Sequence, residues 1–572
     1  MASKLIENVT EIAADYVGNR NPQLLREWQG RLRWRNLLIT LAISMAVQGL
    51  LLLQRLAQLP TRTNNEFYPG IEYCLKQVET GCQVGPDNVP RLDWPLVWAD
   101  VFRDLSFVLV WVLLIGGVYL LAADLSKETR RGTLNFLRMS PQSSRQILLG
   151  KLLGVPVLPY LGTGIMLPLH LATGLMATYP LKILLGFYGL LGAIAFCFYA
   201  AAMWFALLTP GLQGFQTWLI SGISIGLLSG GWSANQSNSS LDWFRLFHPL
   251  QLLAYWDVTG WSGRSVWLFS DGAALDGFRD LGWFFWPAGK GGDEYLFLAL
   301  PNALLLGAWF WRVLERKFQT PAKTSLGKVE SYGLTLFLSL LMMGFTVQSW
   351  DGYSELWSYP VSMAICAVIL MFLLLPPRQA VLDWARYRHQ RPQGQRSPLG
   401  DLLSHDGSPS VLAVAVNLAI ITGVALVGIG FNHHGNLATG IATESLIGWF
   451  FAAASLLGCA LAMQWVALAN LLHGRWVTFG IVLAWVLGLP IVLGMLGLDS
   501  YNSPFRLLWL MTTFSYTALH GLGWGDTVGA IAAHLALISG LSFFLSRRLQ
   551  YLGQSEWQAL SASPTRRSLS QL

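Results

Sequence analysis

Leu105-Ser-Phe-Val-Leu-Val-Trp-Val-Leu-Leu-Ile-Gly-Gly-Val-Tyr-Leu-Leu-Ala-Ala123 runs for 19 residues without a charge, between Asp104 and Asp124. A bilayer core about 30 Å thick needs about 20 mostly apolar helical residues per crossing, so this stretch reads as a transmembrane helix. Outward from it, eleven more stretches of the same kind follow. The first half of the chain holds six, at about 37–53, 105–123, 148–177, 181–208, 212–230 and 295–311. The second half holds six more, at about 333–348, 358–376, 411–430, 445–471, 476–497 and 526–546. Phe505–Leu519 is apolar but short.

Composition points the same way. The 572 residues are 53% hydrophobic and 12% charged, against about 25% charged in an average soluble domain. A string of water-soluble domains could not cover its surfaces with so little charge. Disorder is excluded too, because it needs low hydrophobicity and high net charge. The 26 tryptophans suit long membrane–water boundaries. The expected fold is an all-α polytopic membrane protein of about twelve transmembrane helices in two six-helix halves, residues 1–332 and 333–572.

Twelve crossings put both termini on one side. That side carries 27 of the 38 Lys and Arg and 12 of the 31 Asp and Glu, so the two faces hold +15 and −8, and the net charge is +7. Basic residues in short loops mark the cytoplasmic face, which places the N- and C-termini inside. The first apolar run starts at Leu37, behind Glu7, Glu11, Asp15 and Glu27, unlike a short basic leader, so span one is expected to be retained. Cys74 and Cys82 share the first external loop, as a disulfide in an oxidising compartment or as two thiols. Cys197, Cys366 and Cys459 lie within spans.

The spans lack acidic residues away from their ends. Ion-driven carriers normally place an ionisable group at mid-membrane. Here the interior polar groups are mainly His170, Asn417, Gln464 and His534, which suit hydrogen bonds between helices. Enzyme motifs fare poorly. Ala288-Gly289-Lys290-Gly291 lacks the first glycine and the final Ser or Thr of a phosphate loop. Gly222-Ile-Ser224-Ile-Gly226 matches a nucleophile elbow but sits inside an apolar span, where small residues let helices approach. His433-His434 has no cysteine or carboxylate at ligand spacing, so no metal site is expected. No aromatic–basic interleaving suggests nucleic-acid binding.

The informative cytoplasmic stretch joins spans two and three: Asp124-Leu-Ser-Lys-Glu128-Thr-Arg130-Arg131-Gly132-Thr133-Leu134-Asn-Phe-Leu137-Arg-Met-Ser140-Pro141, then Gln146-Ile-Leu-Leu-Gly150-Lys151. It reads as a short helix stopped by Pro141. Leu134 and Leu137 share a face at i, i+3 spacing, flanked by Phe136 and Met139 and ringed by Arg130, Arg131 and Arg138. Such a helix either fits a groove on a partner protein or rests on the headgroups. Upstream of span one, Asn21–Arg33 can form an amphipathic helix with Leu24, Leu25 and Trp28 roughly on one side and Arg26 and Arg31 among its cations. That pattern suits a helix lying in the membrane interface, in contact with lipid.

The Glu-x-x-x-Gly-Thr-Leu, Ser-Pro and Ile-Leu-x-Gly-Lys pattern resembles the coupling region of ABC-2-type transporter permeases. Asn135 stands where that family often has Glu. The Asn21–Arg33 segment is similar to the family's interfacial helix, and Arg316-Lys317 to the basic tail that ends many permease halves. The resemblance covers roughly residues 20–330. It implies a permease subunit, an exporter in a multi-pass cell (inner) membrane, docked on a separate ABC ATPase subunit. ATP and Mg would bind that partner, and no cofactor would bind this chain. The implied coupling residues are Glu128, Arg130, Arg131, Gly132, Thr133, Leu134, Leu137, Ser140 and Pro141.

The second half reads as a worn repeat. Phe244-Arg245-Leu246 and Phe505-Arg506-Leu507 follow spans five and eleven, and Gly282-Trp283 and Gly523-Trp524 precede the last span of each half. Phe505–Leu519 is accordingly expected to enter and leave the membrane from outside. The basic loop Arg378–Ser410 lacks the Gly-Thr-Leu and Ser-Pro signature. It reads as a degenerate coupler around Leu382, Trp384 and Ala385 or as a solvated loop. The functional unit is then a pseudo-dimer within one chain or a homodimer. Rival readings of the whole protein are an ion-coupled twelve-helix carrier and a non-transport membrane scaffold.

Overall fold

A computed structural model describes residues 16–60, 73–75, 77–78, 81–82, 90–212, 214–233, 239–254, 281–347, 358–387, 398–432, 439–469, 474–498, 505–515, 519 and 523–553. Nearly all of this is helix, with one two-residue hairpin pairing Gln77–Val78 with Gly81–Cys82. Cys74 is disulfide-bonded, while Cys197, Cys366 and Cys459 are free.

Among the described residues, eight helices are long and apolar enough to cross a membrane: Trp34–Ala57, Trp94–Arg131, Leu181–Leu208, Gly292–Gln319, Lys328–Thr346, Val411–Gly428, Leu446–Ala467 and Trp524–Gly553. The chain is a multi-pass membrane protein. Two bent pairs raise the number to ten. Ser144–Gly154 meets Val157–Met176 at 50°, and Ser358–Leu374 meets Arg378–Tyr387 at 65°. Pro156 stands in the first break and Pro376-Pro377 in the second. A proline ring removes a ladder hydrogen bond and clashes with the preceding turn, which accounts for both bends. The two remaining expected spans coincide with helix Phe215–Ser233 and the shorter apolar helix Gly480–Met495.

Two compact units divide the chain. One comprises Met1–Ser237, Phe244–Leu281 and Pro287–Gln319; the other takes Asn238–Trp243, Gly282–Trp286 and Thr320–Leu572. The sequence-based boundary at 332/333 falls inside helix Lys328–Thr346, whose start is bound into the second unit. Lys328 Nζ donates to Leu402 O (2.8 Å), Pro409 O (2.9 Å) and Ser408 Oγ (2.6 Å).

Helix Leu181–Leu208 is the core of the first unit, with 72% of its apolar window buried, against 11% for Trp34–Ala57. Glycines let its neighbours close in: a Cβ at Gly307 would meet Phe196, and one at Gly174 would meet Phe102 and Leu184. The 38-residue helix Trp94–Arg131 is about 57 Å long at 1.5 Å per residue, far more than one crossing needs. It widens into a π-turn at Val112–Gly116, where Tyr199 Oη donates to Leu113 O at 2.6 Å.

Each interior polar residue makes at least one hydrogen bond. His170 lies 2.7 Å from Ser106 Oγ and 2.6 Å from Tyr188 Oη. Asn417 accepts from Thr335 Oγ1 (2.9 Å) and donates to Ser331 Oγ (3.0 Å). Gln464 Oε1 accepts from Ser410 Oγ at 3.1 Å, and His534 Nδ1 lies 2.9 Å from Ala530 O within its own helix rather than reaching a neighbour. The bonds of His170, Asn417 and Gln464, which join different segments, contribute about 0.6 kcal/mol each. Ser224 bonds back to Ile220 O at 2.9 Å, as a plain helical serine does.

Candidate functional site

The site is built at one end of the first unit, where a short surface helix, the end of helix Trp94–Arg131 and helix Ser144–Gly154 meet. The surface helix is Pro22–Arg31. Asn21 caps it by accepting from Leu24 N (3.0 Å), and Pro22 occupies the first turn, where its missing N–H costs nothing. Asn21 Nδ2 also donates to Gln146 O at 2.8 Å, tying the cap to the next element.

Close packing of the two helices depends on Gly150 and Gly154, four residues apart on one face. A Cβ at Gly150 would lie 2.8 Å from Asn21 Oδ1 and 2.9 Å from Leu24 N; one at Gly154 would lie 2.6 Å from Glu27 Cβ. A Gly-x-x-x-Gly face allows this approach. The approach buries Gln23 and Glu27, while Leu24, Leu25 and Trp28 stay half-buried and Arg26 is exposed. The helix therefore turns a polar stripe toward the protein. Its leucines were visible in the sequence; the inward stripe of Gln23, Glu27 and Arg31 was not.

Lys151 is the centre of that polar contact, and it is only 1% exposed. Its Nζ lies 2.8 Å from Asp124 Oδ2, 2.8 Å from Glu128 Oε2 and 3.5 Å from Glu27 Oε1. Arg31 completes the cluster, reaching Asp124 Oδ1 at 2.8 Å and Glu27 Oε2 at 3.3 Å. Oxygens of the three carboxylates lie within 4.8 Å of one another, a spacing a divalent cation could bridge. The Lys151 ammonium sits among them and supplies the positive charge there.

The chain leaves this cluster through Gly132, whose φ of 73° is the left-handed conformation that glycine adopts without strain. Thr133 Oγ1 donates back to Glu128 O at 3.3 Å. Thr133–Met139 then forms the short helix expected from the sequence. Ser140 Oγ closes its end on Leu137 O at 2.7 Å, the exposed Pro141 follows, and Ser143 with Gln146 makes a capping box for the next helix.

The facing of this helix differs from the sequence expectation. Leu134 is 3% exposed and Leu137 is half-buried, whereas Phe136 and Met139 are 72% and 73% exposed. The outward i, i+3 pair is Phe136 with Met139, because Leu134, two residues after the Gly132 turn, is carried inward. Glu128 is likewise committed to Lys151. Arg131 is exposed, and the guanidinium of Arg130 passes Gly214, where a Cβ would lie 3.5 Å from its Nη1. Arg138 lies 5.5 Å over the Phe318 ring, and burial there holds its guanidinium below the ordinary value. Arg145 pairs with Glu315 at 2.9 Å, so two contacts fasten the loop to the end of helix Gly292–Gln319.

The described part of the corresponding segment of the second unit packs against neighbouring helices. In helix Arg378–Tyr387 the apolar residues Val381, Leu382 and Trp384 are buried, with Val381 packed alongside Leu461, Leu468 and Leu545. Arg388, Arg391 and Arg396 lie outside the described residues, as do His433 and His434. Within Phe505–Leu519, helix Arg506–Leu510 gives way to irregular backbone. Ser455 Oγ donates to Met511 O (2.8 Å), and Ser515 Oγ donates to Gly448 O (2.7 Å).

No family model, curated protein or solved structure matches the chain.

Proposed function

We propose that the chain is the membrane permease subunit of an ATP-driven transporter of the ABC-2 type, working as an exporter, with ATP and Mg bound by a separate ATPase subunit. The reading takes all twelve apolar stretches as crossings, places both termini in the cytoplasm, and assigns the protein to the cell (inner) membrane. Its chief support is the helix Thr133–Met139. An exposed Phe136–Met139 pair beside exposed Arg131 is costly to leave in water and suits a groove on a protein partner. Two flanking contacts, Arg145 with Glu315 and Arg138 with Phe318, and the ion cluster behind it give that helix a firm base from which a partner's motion can be passed to the membrane helices. The Gly-Thr-Leu, Ser-Pro and Ile-Leu-x-Gly-Lys residues all lie within or beside this assembly.

The test is affinity purification of the full chain from its native membrane, followed by assay of vanadate-sensitive ATP hydrolysis in the eluate. Wild-type protein is expected to carry that activity, and Phe136→Asp/Met139→Asp to lose it while eluting as a monodisperse folded protein. Absence of ATPase activity from the wild type, or its full retention in the double variant, overturns the proposal.

A further inference from the structure

The sequence motif places Lys151 at the end of an Ile-Leu-x-Gly-Lys run but assigns it no role. We infer that Lys151 is a positioning residue that joins the surface helix Pro22–Arg31 and the outward-facing helix Thr133–Met139 into one mechanical body. The inference deepens the docking reading, and rests on it only for what the outward helix meets.

The connectivity carries it. Glu27 belongs to the surface helix, Asp124 and Glu128 to the last turns before Gly132, and Lys151 to the helix after the loop. The ammonium lies within 3.5 Å of a carboxylate oxygen of each of the three acids. Only three residues separate Glu128 from Gly132, so holding Glu128 fixes the direction in which the chain leaves the long helix. Arg31 bridges the same two elements through Glu27 and Asp124 but does not reach Glu128. Lys151 alone among these cations ties the turn nearest the outward helix to the surface helix.

Burial makes the link stiff. With its side chain 1% exposed, Lys151 has little access to water that could replace a lost carboxylate. Three carboxylates against the two cations leave a surplus of negative charge, so removing Lys151 sets Glu27, Asp124 and Glu128 in mutual repulsion. Those two elements would then part, even with Arg31 in place.

Hydrogen exchange of the full chain in lipid nanodiscs tests this without any ATPase, so its failure is separable from failure of the transport reading. In Lys151→Met, amides of 22–31 and of 133–139 are both expected to exchange faster, on the order of tenfold. Helix Val411–Asn432 of the second unit should be unchanged, and Lys151→Arg should restore much of the protection. Glu128→Gln, which leaves the Asp124 and Glu27 contacts in place, should loosen 133–139 and spare 22–31. That variant decides the matter if Lys151→Met does not fold. Unchanged exchange of 133–139 in Glu128→Gln, or a uniform rise across the whole first unit in Lys151→Met, overturns the inference.

Discussion

Gly154→Ala is the sharpest test of the packing that builds the site, because one methyl group should have opposite effects at Gly154 and at Gly164 in the following helix. A Cβ at Gly154 falls 2.6 Å from Glu27 Cβ, where ordinary contact begins at 3.4 Å, so the helices must part by about 0.8 Å. The obstacle is a Cβ, which cannot swing aside as a side-chain tip could. At Gly150 the obstacles are Asn21 Oδ1 at 2.8 Å and the backbone nitrogen of Leu24 at 2.9 Å. Overpacking of this sort costs about 1–3 kcal/mol. Gly164, in helix Val157–Met176, has nothing within 4 Å of its Cβ position. There alanine should be neutral or stabilising by up to about 1 kcal/mol through helix propensity. The expected order of thermal stability is Gly164→Ala, then wild type, then Gly150→Ala, then Gly154→Ala. Intrinsic tryptophan fluorescence in detergent, at one fixed scan rate, reads it out. If Gly154→Ala melts with Gly164→Ala, the close approach of the surface helix does not exist, and the buried ion cluster loses its basis.

Three further outcomes follow from particular contacts. Leu134→Ala should cost about 2–5 kcal/mol of stability as a large-to-small change in a buried site, while the exposed Phe136→Ala should change the melting temperature little and weaken ATPase retention. Tyr199→Phe removes the hydroxyl that bonds Leu113 O and occupies the space a Cβ on Gly117 would need. It should cost about 1 kcal/mol alone and should not rescue Gly117→Ala, because the ring carbons Cζ and Cε1 that phenylalanine keeps stand in the same space, so the two changes are expected to be independently destabilising in thermal melts. Arg26→Gln/Arg33→Gln/Arg35→Gln should lower retention of phosphatidylglycerol, by about 1 kcal/mol per arginine, with phosphatidylcholine unaffected by native mass spectrometry.

How much of this was readable depends on the range of the interaction. All twelve apolar stretches coincide with helices, because hydropathy along a window of about 20 residues is a local property. The loop helix was equally local: a glycine before it, a proline after it and leucines at helical spacing mark Thr133–Met139. Which face it turns outward was not local. That depends on the Gly132 turn and on what lies behind Leu134, so the sequence offered Leu134 and Leu137 where Phe136 and Met139 are exposed. The ion cluster was further out of reach, since Glu27 and Lys151 are 124 residues apart. Acidic residues at span ends look alike until the ends are brought together. The Gly150–Gly154 spacing is a local signal that the sequence reading passed over, standing within the Ile-Leu-x-Gly-Lys region and marking where a second helix packs. The break at Pro376-Pro377 was another, and it turns Arg378–Tyr387 into a bent extension rather than a free loop.

The charge count also changes meaning once partners are known. The +15 expected for one face from a twelve-span reading suggests a broad field available to anionic lipids or partners. Within the first unit, however, Lys151, Arg31 and Arg145 are committed to Glu27, Asp124, Glu128 and Glu315. Those cations are taken up by local carboxylates and do structural duty. Arg26, Arg33 and Arg35, by contrast, are exposed and carry no ion pair among the described residues, and Trp34 beside them is 72% exposed. Guanidiniums free of carboxylates next to an exposed indole are what an anionic headgroup layer can use. The expected positive-inside signal therefore separates into two parts: cations paired with carboxylates, centred on the buried Lys151, and the exposed Arg26, Arg33 and Arg35, which suit an anionic headgroup layer. Neutralising the second set should change lipid retention and leave the paired cluster intact, whereas neutralising Lys151 should do the reverse.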